Sequence, residues 1–125
     1  MNLVDSSAWL EFFADGPHAG IFAEPLEETD RLLVPTICIY EVFKIVLRQR
    51  GEAPALQAVA VMRQGQVVDL TERIALMAAE LSLRQKLPMA DSIILATARL
   101  HDAQIWTQDA DFEGLDHVTF VANTK

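Results

Sequence analysis

Four acidic residues come from four separate segments of this chain: Asp5, Glu41, Asp91 and Asp109. Asp5 closes the apolar run Leu3-Val4. Asp91 follows Pro88, which reads as a helix start because its fixed φ suits the first turn and its missing N–H is not needed there. A carboxylate in that first turn suits the positive end of the helix dipole. Ile94, Leu95 and Ala98 share its face at helical spacing, so an acid heads an otherwise apolar stripe. An inward carboxylate is costly unless something cationic compensates it. Each acid also has a plain structural reading. Asp5 can cap the helix that follows, Glu41 can pair with Lys44 on a surface, and Asp109 and Asp111 can be turn formers. Gathered together, carboxylates repel, and hard divalent cations such as Mg²⁺ or Mn²⁺ resolve the repulsion through oxygen ligands. The chemistry expected of such a group is metal-assisted phosphodiester hydrolysis, with two ions about 3.5–4 Å apart serving the attacking water and the leaving oxygen.

The elements must bring those acids to one place. Residues 2–5 read as strand one, and 8–13 as a short helix ended by Asp15-Gly16-Pro17. Residues 18–28 are loosely helical, with Glu24, Glu27, Glu28 and Asp30 as a solvated face. Strand two covers 31–35. Thr36 can cap a helix running to Gly51, with an apolar stripe of Ile39, Val42, Phe43, Val46 and Leu47. Another helix covers 55–64, and strand three covers 66–69. Thr71 caps a helix with Ile74, Met77, Ala78 and Leu81 on one face, and the Pro88 helix runs on to about Asp102. Strand four covers 104–107 and strand five 117–121. Short apolar strands alternating with helices imply a parallel sheet covered on both faces. Two crossovers are expected to hold two helices each, one helix of each pair lying obliquely or covering an edge.

That topology places the acids. Asp5 ends strand one. Glu41 lies in the first turns of a helix entered directly from strand two, so it starts at the same edge. The Pro88 helix feeds strand four through only Asp102-Ala103, runs antiparallel to it, and so begins with Asp91 at that edge too. Asp109 follows strand four. Open α/β sheets bind ligands in the crevice outside this carboxyl edge. Asp69 also ends a strand, but Thr71 and Glu72 point to ordinary capping there. His18, His101 and His117 share no ligand spacing and read as surface or loop residues, while Trp9, Phe12 and Phe13 read as core.

The remaining composition sets bounds. A chain of 125 residues suits one domain, residues 1–125, with one core. No apolar run is long enough to span a bilayer, and the first residues lack a signal-peptide layout. The single cysteine, Cys38, excludes an internal disulfide, reads as a small buried hydrophobe, and suits a reducing cytoplasm. A net charge of −8 argues against broad non-specific nucleic-acid binding, though local cations can still guide a phosphate backbone. Lys44 and Arg48 follow Glu41 at helical spacing and are candidates for that role. The acidity also suits a basic partner.

Four blocks now align in order. Val4-Asp5-Ser6-Ser7, then residues 34–42 ending in Tyr40-Glu41-Val42, then 89–98 opening with Met89-Ala90-Asp91, then Trp106-Thr107-Gln108-Asp109-Ala110-Asp111-Phe112. Across essentially its whole length the chain resembles a PIN domain, and specifically the VapC-type toxins of toxin–antitoxin pairs. The resemblance implies a PIN-like three-layer α/β/α fold around a five-stranded parallel sheet. It implies a Mg²⁺- or Mn²⁺-dependent endoribonuclease acting on structured RNA of the translation machinery. It further implies a homodimer and a small antitoxin that occupies the active-site groove. Asp5, Glu41, Asp91 and Asp109 would be the catalytic acids, with metal on Asp5, Asp91 and Asp109. Ser6 and Thr107 would support the site, and Asp111 competes with Asp109 for the fourth acidic position. A phosphate-accepting receiver domain would need an acidic pair after strand one and a lysine ending strand five. Here Ser6-Ser7 follow Asp5, and the late lysine is Lys125. A phosphatase using Asp-x-Asp would need an acid at Ser7. A non-catalytic PIN-like binding module is the alternative from another class.

Overall fold

The computed structural model describes residues 1–123; Lys125, which the receiver reading turns on, lies outside them. Five strands form one parallel sheet: β1 (Asn2–Val4), β2 (Leu32–Pro35), β3 (Gln66–Val68), β4 (Gln104–Thr107) and β5 (Val118–Phe120), in the order β3-β2-β1-β4-β5. Six helices connect them: α1 (Ser6–Phe13), α2 (Ala19–Glu27), α3 (Thr36–Arg50), α4 (Glu52–Met62), α5 (Glu72–Gln85) and α6 (Met89–Leu100). The chain steps outward from β1 to β3, then returns to the other side of β1 for β4 and β5. Right-handed crossovers running in opposite directions put their helices on opposite faces, which gives three layers. The reversal falls between β1 and β4, so the carboxyl ends of those two strands bracket the switch-point crevice.

Three crossovers, not two, hold helix pairs. Residues 19–27 form a regular helix because Phe22 and Leu26 bury on one face four residues apart, and Pro25 is accommodated within it. The stripe of α3 centres on Cys38, Val42 and Val46, while Leu47 turns to solvent. Thr36 lies inside α3 rather than capping it, because Pro35, extended at ψ 141°, occupies the cap position. Pro88 likewise caps α6 and Met89 starts it, one residue later than expected; Asp91 remains in the first turn. Thr71 caps α5 as expected, its hydroxyl accepting from Ile74 N at 3.2 Å. Edge strand β3 is exposed at Gln66 and Val67, so the sheet is not covered throughout.

Helix α6 is the most deeply set. Every residue from Ser92 to Ala98 is buried. Burying Ile93, Ile94 and Leu95 contributes roughly 1.5–3 kcal/mol each. The polar members are satisfied locally: Ser92 Oγ donates to Met89 O at 2.7 Å and Thr97 Oγ1 to Ile93 O at 2.8 Å. A helix packed this firmly fixes the position of its first turn, and hence of Asp91. Leu3, Val4, Leu33, Val34 and Ile105 fill the sheet centre beneath it.

Candidate metal centre

Asp5 is buried, 2% exposed, directly after β1. Its amide donates to Trp106 O at 3.1 Å, extending the β1–β4 ladder one step beyond the strand. Its side chain caps α1: Oδ1 accepts from Ala8 N at 3.0 Å and Ser7 Oγ at 2.7 Å. Oδ2 accepts from Thr107 Oγ1 at 2.6 Å. Asp5 thus caps α1 with one oxygen while the other is tied to the end of β4. Thr107, fully buried, takes its second bond from Asp109 N at 2.8 Å. One hydroxyl thus joins the acid after β1 to the backbone of the acid after β4. Ser7 does the same one residue along, accepting from Gln108 N at 3.0 Å.

Asp91 approaches from the opposite layer. Oxygens of Asp91, Asp109 and Asp111 all lie within 4.8 Å of one another. Asp109 caps a 3₁₀ turn (Ala110–Phe112), with Oδ1 accepting from Asp111 N at 2.9 Å. Phe112, fully buried, anchors that turn in the core. Glu41 stands on α3 and accepts from Ser6 Oγ at 2.6 Å, which ties it to the same end of α1. The structure thus groups Asp91 with both Asp109 and Asp111, sets Asp5 behind them through Thr107, and reaches Glu41 through Ser6.

The electrostatics follow from burial and crowding. Burial raises Asp5 to about 6 against the hydrogen bonds from Thr107, Ser7 and Ala8, and the charge of Asp109 adds to the rise. Asp91 is pushed up to about 8, first by burial, then by the adjoining carboxyl groups of Asp109 and Asp111, through hydrogen bonding and negative charge. Behind the site, burial pushes the Cys38 thiol up, leaving it an inert core residue as expected. The three-carboxylate group offers only hard oxygen donors, from a scaffold that crowds them against their own repulsion. A Mg²⁺ or Mn²⁺ ion fits such a set, since either accepts a few carboxylates and completes its shell with water.

The two candidate cations differ. Arg48 lines a groove of about 680 Å³ between α1, α3 and α4, whose lining also includes Ser7, the chain neighbour of Ser6, and Gln108, the chain neighbour of Thr107 and Asp109. Lys44 turns to its own helix, with Nζ 5.5 Å from the centre of the Tyr40 ring and 3.4 Å from its hydroxyl. Ser7 and Gln108 carry no sequence signal of their own. Both flank candidate site residues, and only their long-range pairing reveals them. Nor is His18 a free loop residue: its Nδ1 lies 2.7 Å from Gln108 Oε1.

The family model of the PIN domain matches residues 3–118, and the chain belongs to the PIN domain family. Its fold is similar to three solved structures in particular. One is a toxin–antitoxin complex from Klebsiella pneumoniae, 22% identical over 95% of this chain and 96% of that one, with a TM-score of 0.82. Another is VapC20 of Mycobacterium tuberculosis, a sarcin–ricin-loop-cleaving toxin, 19% identical over 97% of both chains, TM-score 0.78. The third is VapBC2 of Rickettsia felis bound to a DNA fragment from its promoter, 12% identical over 97% of both chains, TM-score 0.72. At these identities the likeness is one of fold. No curated protein matches the chain. No helix among the described residues is long and apolar enough to cross a membrane.

Proposed function

We propose that this chain is a Mg²⁺- or Mn²⁺-dependent endoribonuclease, the toxin of a toxin–antitoxin pair. The observation that carries the reading is the convergence of Asp91, Asp109 and Asp111 at the switch point, with Asp91 pushed up to about 8. Membership of the PIN domain family and likeness of fold to toxins and toxin–antitoxin complexes support it. Asp91 and Asp109 hold the metal, with Asp111 as a third ligand or as the alternative to Asp109. Asp5 contributes from behind, directly or by setting Thr107 and through it the Asp109 backbone. A bound divalent ion supplies charge neutralisation at the scissile phosphate and makes water a competent nucleophile at neutral pH. Glu41, oriented through Oε1 by Ser6, accepts the proton of the attacking water at Oε2. Arg48 meets the RNA backbone along the groove.

The acidic site and a net charge of −8 also suit a basic antitoxin segment that lays Arg or Lys among the carboxylates. A homodimer and a cytoplasmic setting complete the reading, the latter in keeping with one buried free cysteine. The test is incubation of purified protein with total RNA in Mn²⁺ and in EDTA, with the new RNA ends sequenced. Discrete cleavage in Mn²⁺ and none in EDTA is expected. Cleavage that persists in EDTA contradicts the metal mechanism, and RNA binding without cleavage in either condition assigns a binding module.

A further inference from the structure

The acids of the candidate site need a restraint, because their charges push them apart. Asp91 has a firm one in α6. Asp109 sits on a short segment that leaves the sheet after Thr107 and before the 3₁₀ turn at Ala110. Two consecutive amides of that segment, of Gln108 and Asp109, are held by the Ser7 and Thr107 hydroxyls. The Gln108 side chain is held from elsewhere. His18, ninety positions away in sequence, approaches Gln108 Oε1 through Nδ1 at 2.7 Å. Since an amide oxygen only accepts, Nδ1 carries the proton.

His18 is itself anchored. Its backbone N donates to Glu11 Oε2 at 2.8 Å, and Nδ1 lies 3.8 Å from the same oxygen. This is the one ion-pair approach within 4.0 Å among the described residues. His18 occupies the cap position of α2 but makes no side-chain capping bond there, so its ring is committed to Gln108. The His18 and Glu11 side chains are mostly buried, 17% and 16% exposed. The preceding turn is built around this arrangement: a Cβ at Gly16 would overlap the Glu11 carboxyl group. Only a residue without a side chain lets Glu11 fold back beneath the turn to meet His18.

We infer that His18 is a positioning residue for the acid cluster, held by Glu11 and acting through Gln108 to keep Asp109 against Asp91 and Asp111. The inference deepens the metal-site reading above. With the latch released, repulsion is free to open the 108–109 segment, and the cost falls on cation affinity rather than on the core.

The experiment compares parent, His18→Ala, His18→Asn and Gly16→Ala by Mn²⁺ titration, by melting in EDTA, and by amide hydrogen exchange at Asp109 in EDTA. His18→Ala is expected to raise the half-saturating Mn²⁺ concentration several-fold. That is less than the roughly 10–100-fold typical when a direct partner of a ligand is lost. Exchange at the Asp109 amide should accelerate several-fold, with the melting temperature nearly unchanged. His18→Asn places an amide donor near the position of Nδ1 and should restore both readouts. Gly16→Ala leaves His18 in place but displaces the Glu11 carboxylate, and should fall between parent and His18→Ala. Parent-like Asp109 exchange in His18→Ala overturns the inference, as does loss of Mn²⁺ affinity matched by a general loss of stability that Asn does not rescue. If no protein binds Mn²⁺ yet exchange at Asp109 still accelerates in His18→Ala, the metal reading falls and the positioning role stands.

Discussion

Asp5 and Asp69 each follow the last residue of a parallel strand, at the same edge of the same sheet, and each precedes a helix. Asp5 follows β1, with β2 on one side and β4 on the other; Asp69 follows β3, which has only β2 beside it. Asp5 is buried, accepts three hydrogen bonds and is raised to about 6. Asp69 is exposed, and the next helix is capped by Thr71 instead. Residue type and strand end are shared; the neighbours are not. An acid at a strand end is enclosed and hydrogen-bonded where the sheet reverses direction, because there two strand ends and a helix from the opposite layer face one crevice. At the sheet margin the same acid stays solvated.

The widest separation between the two should be in catalysis. Asp5→Asn keeps an oxygen that can cap α1, so the fold should survive, since Asn caps about as well as Asp. RNA cleavage should nevertheless fall by at least about 100-fold, beyond the usual cost of losing a supporting partner. Asp69→Asn should cleave like the parent. Initial rates on one RNA, with far-UV circular dichroism as the fold control, check both; equal rates in the two variants would erase the distinction.

A moderate effect is expected on stability without metal. Asp5 and Asp91 rise from 3.8 to about 6 and about 8 in the folded chain. Between those limits the folded state holds protons that the unfolded chain has released. Their contribution is therefore fully present below about pH 4 and is lost as pH rises through 6 and then 8. Melts in EDTA should show the parent losing several degrees across that range. At pH 8 Asp91→Asn should melt a few degrees above the parent, because it removes one of the crowded charges. Mn²⁺ should raise the parent more than the variant by linkage. A variant that melts lower in EDTA and responds equally to Mn²⁺ would make Asp91 a structural acid outside any cation site.

The smallest effect is expected from the two cations. Arg48→Ala should lower the salt slope of RNA binding by about 1, the loss of one phosphate contact. Lys44→Ala should lower it less, because its ammonium already lies over Tyr40. Equal slopes for parent and Arg48→Ala would return Arg48 to the solvated face.

Much of this arrangement was legible in the chain because strand ends and helix starts are local features. The run ending at Val4, the short link from Leu100 to Gln104 and the apolar face behind Asp91 suffice to put Asp5 and Asp91 at one edge. What was not legible depends on partners far apart in sequence. Thr107 meets Asp5 across 102 positions and Ser7 meets Gln108 across 101, and no local pattern announces either pair. His18 looked like a loop residue because its partner, Gln108, has no chemistry of its own to mark it. The order of the strands, which separates Asp5 from Asp69, also came only with the structure. The one-residue shift at Pro88 has a simpler cause: a proline suits the cap as well as the first helical position, having no N–H to satisfy at either.

The central claim is that the carboxylates at the switch point form one cation site, and Mn²⁺ binding tests it most directly. Metal-free parent, Asp91→Asn and Asp69→Asn are titrated with Mn²⁺ at pH 7.5 while the signal of free Mn²⁺ is followed by electron paramagnetic resonance. The parent and Asp69→Asn should bind alike, and Asp91→Asn more weakly by at least the roughly 10-fold that losing even a partner of a ligand costs. Absence of Mn²⁺ binding by the parent, or equal binding by Asp91→Asn, would contradict it.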